Sequence, residues 1–352
     1  MKKIRVGVIG QGRSGYSIHS NAIATCLGNK FELVAVADLE LARCKDAQER
    51  TGCRAYTDYR QMLKECEFDL VVDSLLSERH SEVNIELLQS GVNVLGEKPF
   101  AASVELFDKQ IAAAKQSGKK LFAFQQSRFA AAYRKICEVV DSGVLGRIVE
   151  FKIRFNGFAR RWDWQTLQRH IGGNLWNTGP HPLDQAVALF GSDPETIFCR
   201  MDRANTWGDA EDQVKLIFTS PGKMLVDLEI SSCCTTPTPM YQIFGTRGGL
   251  CSDGCNVRWK YFLESEAPKQ KLIETPLPDR GYCREELPFH EEEWKASAEE
   301  IDYFYNISAL YNNIYDVLVN GGTEVVQLDQ VRRQIRIIEE CHRQNPLSRL
   351  DS

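Results

Sequence analysis

Over the first 125 positions, apolar residues cluster into short continuous runs at 4–9, 31–38, 68–75, 92–96 and 120–124. Between them the spacing of apolar and polar residues becomes helical, most clearly over 80–90 and 103–117. Strands that are apolar on both faces and alternate with helices form a parallel sheet covered on both sides. The texture changes beyond residue 125. A helical stretch at 130–140 precedes a long strand pattern at 147–155, a glycine- and tryptophan-rich loop, and a helical stretch at 174–190. Strand patterns then follow one another at 195–200, 213–219, 223–230 and 241–245 without intervening helices, which implies a mostly antiparallel sheet. Residues 261–290 are polar, carry four prolines and read as loop. Helices are expected over 292–319 and 328–343, parted by Gly321 and Gly322.

The pattern predicts an α/β chain of two units. Residues 1–125 form a doubly wound parallel sheet. Residues 126–352 form an α+β domain around a large open sheet, with C-terminal helices able to pack back on the first unit. The length of 352 residues suits two domains. Apolar content of 43% and charged content of 26% belong to a globular chain. A net charge of −5 without a long basic run argues against nucleic acid or an anionic membrane as partner. No apolar stretch reaches the roughly 18 residues a membrane span needs. Lys2 and Lys3 lead directly into a strand, so no signal peptide is expected and the location is taken as cytoplasmic. The twelve cysteines are scattered, and Cys233, Cys234, Cys251 and Cys255 match no zinc module, so the expectation is reduced, mostly buried thiols and no metal.

The chemistry begins where the first strand ends. Gly10-Gln11-Gly12-Arg13-Ser14-Gly15 is a G-x-G-x-x-G sequence between a strand and a helix. Gly10 permits the tight turn, Gly12 lets backbone approach a pyrophosphate, and Gly15 lets the helix pack near the strand. The helix start offers N–H groups and a dipole to the phosphates. Asp38 closes the second strand 23 residues after Gly15, where a carboxylate accepts both ribose hydroxyls and repels a 2′-phosphate. Leu39 and Glu40 follow, with no adjacent arginine, so NAD is favoured over NADP.

Two further clusters suggest proton chemistry. Glu97-Lys98-Pro99 leaves the strand at 92–96 at the carboxyl edge of the sheet, where partial burial lowers the pKa of an amine into a usable range. Gly172-Gly173-Asn174-Leu175-Trp176-Asn177-Thr178-Gly179-Pro180-His181-Pro182-Leu183-Asp184 spaces Asn177, His181 and Asp184 for one helical face, with the prolines predicting a kink or a late helix start. Arg160-Arg161-Trp162-Asp163-Trp164-Gln165 precedes it, with aromatic rings and charged side chains able to overhang a pocket.

Together these segments resemble the Gfo/Idh/MocA oxidoreductase family (glucose–fructose oxidoreductase and inositol dehydrogenase-like). Ser127-Arg128-Phe129 and the segment 141–148 add to the resemblance, which spans nearly the whole chain. It implies NAD as cofactor and a secondary hydroxyl of a sugar, glycoside or cyclitol as the oxidised group, with C3 of a glucoside a plausible form. It also implies an open sheet that serves a homodimer or homotetramer. By position it makes Lys98 and His181 the catalytic pair, with Asn177 where an aspartate is usual, and it adds Leu75, Ser77, His80 and Glu97 to the cofactor contacts. Thr178, Asp184 and Tyr241 join Arg160, Trp162 and Asp163 as substrate candidates. The chain departs from the family's pattern at Asn177, at Leu75-Leu76 in place of Thr-Pro, and at Ala131 in place of a proline. Two other roles fit the resemblance: a glycosidase that oxidises transiently and eliminates, and a non-catalytic NAD-sensing protein.

Overall fold

A computed structural model of the chain describes residues 2–236, 238–277 and 281–350. The first unit has six short strands, β1 (Ile4–Ile9), β2 (Phe31–Ala37), β3 (Arg54–Tyr56), β4 (Leu70–Asp73), β5 (Asn93–Gly96) and β6 (Leu121–Ala123); the five apolar runs form all but β3, a three-residue edge strand outside the runs. They pair in parallel in the order β3-β2-β1-β4-β5-β6. Val6, Val8, Leu70, Val71, Val72, Val94 and Leu95 are fully buried, as strands with helices on both faces require. The helix Val104–Ser117 shows how local sequence sets an element. Ser103 Oγ accepts from Leu106 N at 3.2 Å at its start, and Gly118 ends it at φ +66°. Strand order reverses between β1 and β4, and a crevice opens beyond the carboxyl ends of strands at such a point.

The second sheet has eight strands: β7 (Ile148–Asn156), β8 (Thr196–Asp202), β9 (Gln213–Thr219), β10 (Leu225–Ser231), β11 (Tyr241–Gly245), β12 (Gly248–Ser252), β13 (Asn256–Tyr261) and β14 (His290–Lys295). Their order is β14-β13-β12-β11-β7-β10-β9-β8, antiparallel throughout except for the central β7–β10 pair. Alternation decides the faces. Val214, Leu216 and Phe218 of β9 point to a core closed by the helix Pro180–Phe190, with Phe190 edge-on to Phe218 at 5.2 Å. The opposite face bears Lys152, Arg154 and Lys215 interleaved with Glu150, Asp227 and Glu229.

The expected helix over 292–319 is corrected. Residues 290–295 add an edge strand, and the helix starts only at Tyr305, running to Tyr315 before a wider turn at Asp316–Asn320. The edge strand is held by partners on β13 that helical spacing cannot register: Lys260 meets Glu291 at 2.6 Å and Tyr261 donates to Glu292 at 2.9 Å. Within 261–290 no helix or strand occurs between β13 and β14 among the described residues, and residues 278–280 of that segment lie outside them. The expectation of mostly buried thiols also fails. Only Cys44, Cys53, Cys199 and Cys341 are buried, and Cys26, Cys233, Cys255 and Cys283 are exposed; all twelve are free. Among the described residues, no cluster of His, Cys, Asp and Glu is placed to hold a metal ion. None of the described helices is long and apolar enough to cross a membrane.

The C-terminal helices contact both units. Tyr315 donates to Lys2 O at 3.1 Å. Gln125, just past β6, donates to Pro180 O at 3.1 Å and to Gln334 Oε1 at 2.9 Å, tying the end of the first sheet to the helix that carries His181.

Candidate active site

A cleft of about 600 Å³ runs along the carboxyl edge of the parallel sheet. Gly10, Gly12, Arg13 and Ser14 line it after β1. Gly10 has φ +83°, and a Cβ there would lie 2.5 Å from Ser74 O. Gly15 packs so closely on Gly10 O that no side chain fits. A Cβ on Gly12 would meet nothing, because that position faces open cleft. The three glycines thus do three different jobs. The helix that follows begins as a widened turn, Arg13–Ser20.

Asp38 follows β2. Its Oδ2 accepts from Gln11 N at 2.8 Å and its Oδ1 from Glu40 N at 3.0 Å, which fixes the carboxylate at the cleft wall. Gln11 is buried and accepts from Ser20 Oγ at 3.1 Å, so it supports Asp38 and does not face the cleft. Arg43 lies beyond the reach of a sequence reading confined to adjacent positions. The turn Leu41–Cys44 folds it back, with Nη1 4.0 Å from Asp38 Oδ1 and Nη2 2.9 Å from Glu40. Leu75, Ser77 and His80 line the cleft after β4. His80 bridges two loops, with Nδ1 2.8 Å from Pro99 O and Nε2 3.1 Å from Leu75 O.

Lys98 follows β5, three strands from β2, and is joined to Pro99 by a cis peptide bond. Its Nζ donates to Asn177 Oδ1 at 2.9 Å, linking the two sequence clusters across 79 positions. Burial pulls the Lys98 ammonium below its ordinary pKa. The Glu97 carboxylate opposes this, and Arg13 and Arg161 reinforce it. Glu97 itself is buried. Burial pushes its carboxyl up, but the hydrogen bond from His19, at 3.2 Å, leads the interactions that hold it below the usual range, helped by Lys98 and His80.

His181 faces the same cleft, and its Nδ1 is buried with no partner among the described residues. Burial first, then the nearby Lys98 charge, lower its pKa to about 3, so the ring is neutral at physiological pH. The cluster Asn177, His181, Asp184 does not share one helical face. A short helix ends at Asn177; Gly179 N bonds back five residues to Asn174 O, while His181 N bonds back three to Thr178 O. This irregular turn separates Asn177 from the helix Pro180–Phe190. Asp184 is buried against Arg128 in a bidentate pair at 2.7 and 2.8 Å, away from the cleft. Tyr241 is likewise buried, donating to Gln185 at 3.0 Å behind the helix. Thr178 is absent from the cleft wall.

The arginine–tryptophan loop divides. Arg161, Asp163, Trp164 and Gln165 line the cleft, and Arg161 Nη2 clamps Asp163 at 2.8 Å and Gln165 at 2.7 Å. Arg160 and Trp162 point elsewhere; Trp162 is 79% exposed and Arg160 lies over the Trp207 ring. One supporting residue escapes the sequence altogether. Glu211 fills the space that a side chain on Gly173 (φ +111°) would occupy, and its Oε1 accepts from Leu175 N at 2.9 Å. Burial raises its carboxyl to about 8.

NAD fits this cleft on the donor set alone: an open glycine cradle, a fixed carboxylate for the ribose, and an amine three strands away. Residues 4–125 match the model of an oxidoreductase family with an NAD-binding Rossmann fold. Residues 133–251 match the GFO/IDH/MocA C-terminal domain. The uncharacterized oxidoreductase YdgJ of Escherichia coli is 24% identical, over 96% of this chain and 94% of its own length. Myo-inositol 2-dehydrogenase of Thermotoga maritima is 24% identical, over 72% of this chain and 76% of its own. The crystal structure of GenD2 from gentamicin A biosynthesis, in complex with NAD, superposes with a TM-score of 0.78 at 19% identity, covering 100% of this chain and 97% of that one. The chain therefore belongs to the Gfo/Idh/MocA family of oxidoreductases, and its first domain is that family's NAD-binding Rossmann unit.

Proposed function

We propose that the protein is an NAD-dependent dehydrogenase that oxidises a secondary hydroxyl of a sugar, glycoside or cyclitol. The observation that supports this reading is that Lys98, held by Asn177 behind it, and His181 meet on one cleft whose other wall carries Asp38. NAD, when bound, supplies the hydride acceptor. Gly12 and the helix start hold its pyrophosphate, and Asp38 takes the adenosine ribose. Asn177 Oδ1 aims the Lys98 amine. In its neutral form Lys98 Nζ takes the hydroxyl proton as the carbon gives up hydride. His181, too weak a base at a pKa of about 3 to share that task, orients the hydroxyl through a neutral ring nitrogen. Arg161 and Asp163, already clamped together, present a guanidinium edge and a carboxylate to neighbouring hydroxyls. The same reading makes the protein a cytoplasmic homodimer or homotetramer with a substrate domain over 126–352.

A panel of cyclitols, aldoses and glycosides, read by NADH absorbance, tests it. At least one polyol should give NAD-dependent turnover that falls at least about a hundredfold in Lys98→Ala, the scale of losing a general base. Absence of turnover with every polyol would remove the reading, and sugar release without net NADH would replace it with oxidation followed by elimination.

A further inference from the structure

Beneath the cleft, three buried polar groups form a chain that the reaction above does not use. Tyr311 Oη lies 2.8 Å from His19 Nδ1, and His19 Nε2 lies 3.2 Å from Glu97 Oε1. Glu97 Oε2 accepts from the backbone N–H of Lys98 at 3.1 Å. His19 and Tyr311 are fully buried and Glu97 nearly so. The directions follow from the chemistry. A carboxylate only accepts, so His19 Nε2 carries the hydrogen toward Glu97. Burial raises the Tyr311 phenol, which keeps its proton and donates it to Nδ1. One tautomer of His19 is therefore locked from both sides. Rings lock its orientation too: Phe124 packs edge-on to His19 at 4.6 Å, and Phe31 edge-on to Tyr311 at 5.2 Å.

Glu97 faces His19, Lys98 and His80, with Asp73 also near; Lys98 faces Glu97, Arg13, Arg161 and His181. Among the described residues, Glu97 is thus the anion that favours the Lys98 ammonium against burial and two arginines. We propose that His19 and Tyr311 are positioning residues of the active site: they hold the Glu97 carboxylate ionised and aimed, and through it set how readily Lys98 releases its proton. The chain starts at Glu97 beside Lys98, passes through His19 in the segment that follows the glycine turn, and ends on the C-terminal helix Tyr305–Tyr315, which it makes part of the catalytic apparatus. The inference rests on the reading of Lys98 as the proton acceptor, and it deepens that reading by naming what tunes it.

The test follows the pH dependence of Lys98 labelling by reductive methylation, read by mass spectrometry, which needs no substrate. Glu97→Gln and His19→Leu should move the Lys98 midpoint to lower pH by about half a unit or more, since an anion beside the amine is lost. His19→Gln, which keeps an N–H donor for Glu97, should stay near the native value. Tyr311→Phe should move it in the same downward direction by less. A midpoint unmoved in folded His19→Leu overturns the proposal, as does His19→Gln shifting as far as His19→Leu. If His19→Leu fails to fold, Tyr311→Phe decides: a downward shift supports the relay and no shift removes it. The two readings remain separable. A shifted midpoint in a protein that oxidises no polyol keeps the relay and removes the assigned reaction, while an unmoved midpoint in an active dehydrogenase does the reverse.

Discussion

At the scale of single residues, Asn177 is the most informative departure. An amide 2.9 Å from the Lys98 amine orients it without adding charge, so burial and the arginines remain free to lower its pKa. A carboxylate in that place would favour the ammonium and delay the appearance of the neutral amine. Asn177→Asp, an almost isosteric change, is therefore expected to move the acid limb of the kcat/KM profile upward by roughly one pH unit. An unshifted limb would mean that Lys98 does not carry the proton. The places where Lys98 and His181 leave the backbone are legible from residue order, because proline, glycine and strand signals fix them, while their pairing as a catalytic site comes from the family resemblance. The same signals mislead at Asp184 and Tyr241. Their types suit a substrate pocket, but Arg128 and Gln185 claim them, and those partners are 56 positions away in each case. Distant pairing of this kind leaves no trace in local spacing.

At the scale of elements, the strands whose both faces are buried are readable from continuous apolar runs. The three at the edge of the second sheet are not. β12 begins with two glycines, β13 alternates weakly, and β14 is charged at most positions, so each depends on its neighbour more than on its own composition. The helical turn bearing Asn177 has a similar hidden dependence, on Glu211 beneath Gly173. The raised pKa of Glu211 makes this measurable. In the unfolded chain an ordinary glutamate ionises near pH 4.5, while in the fold it stays protonated to about 8. Its contribution is therefore whole below about pH 4.5 and is lost as the pH rises toward 8, at up to about 1.4 kcal/mol per unit. His181 and His342, with pKa values lowered to about 3 and about 4, act oppositely: neutral in the fold, they cost stability as the pH falls below about 6.5. Glu211→Gln should flatten the alkaline side of the stability curve and raise Tm at pH 8 relative to the native protein. Urea or thermal melts between pH 5 and 8 check this, and a native-like slope in the variant would show that Glu211 ionises freely in the fold.

At the scale of the whole molecule, one large surface has no layer over it among the described residues. The helices pack on one face of the eight-stranded sheet and leave the other bare. That face is a lattice of paired charges: Asp227 is ringed by Lys152, Arg154 and Lys215, with Glu150 and Glu229 completing the pattern. Phe244 and Phe198, 43% and 56% exposed, lie on flanking strands. Eight strands at about 4.8 Å spacing and about six residues of 3.3 Å rise give a patch of roughly 38 by 20 Å, or about 750 Å². Stable interfaces bury about 800 Å² per partner, so the face is of the right size to seat a second copy of itself about a two-fold axis. The ion pairs add little affinity but oppose mismatched partners, which leaves the aromatic flanks as anchors. Phe244→Glu should therefore convert the protein from dimer to monomer in sedimentation equilibrium. Tm at low concentration should change by no more than a few degrees, because Phe244 is half exposed and supports little of the core. A native protein that sediments as a monomer, or a Phe244→Glu variant that associates as strongly as the native one, would show that this face meets solvent.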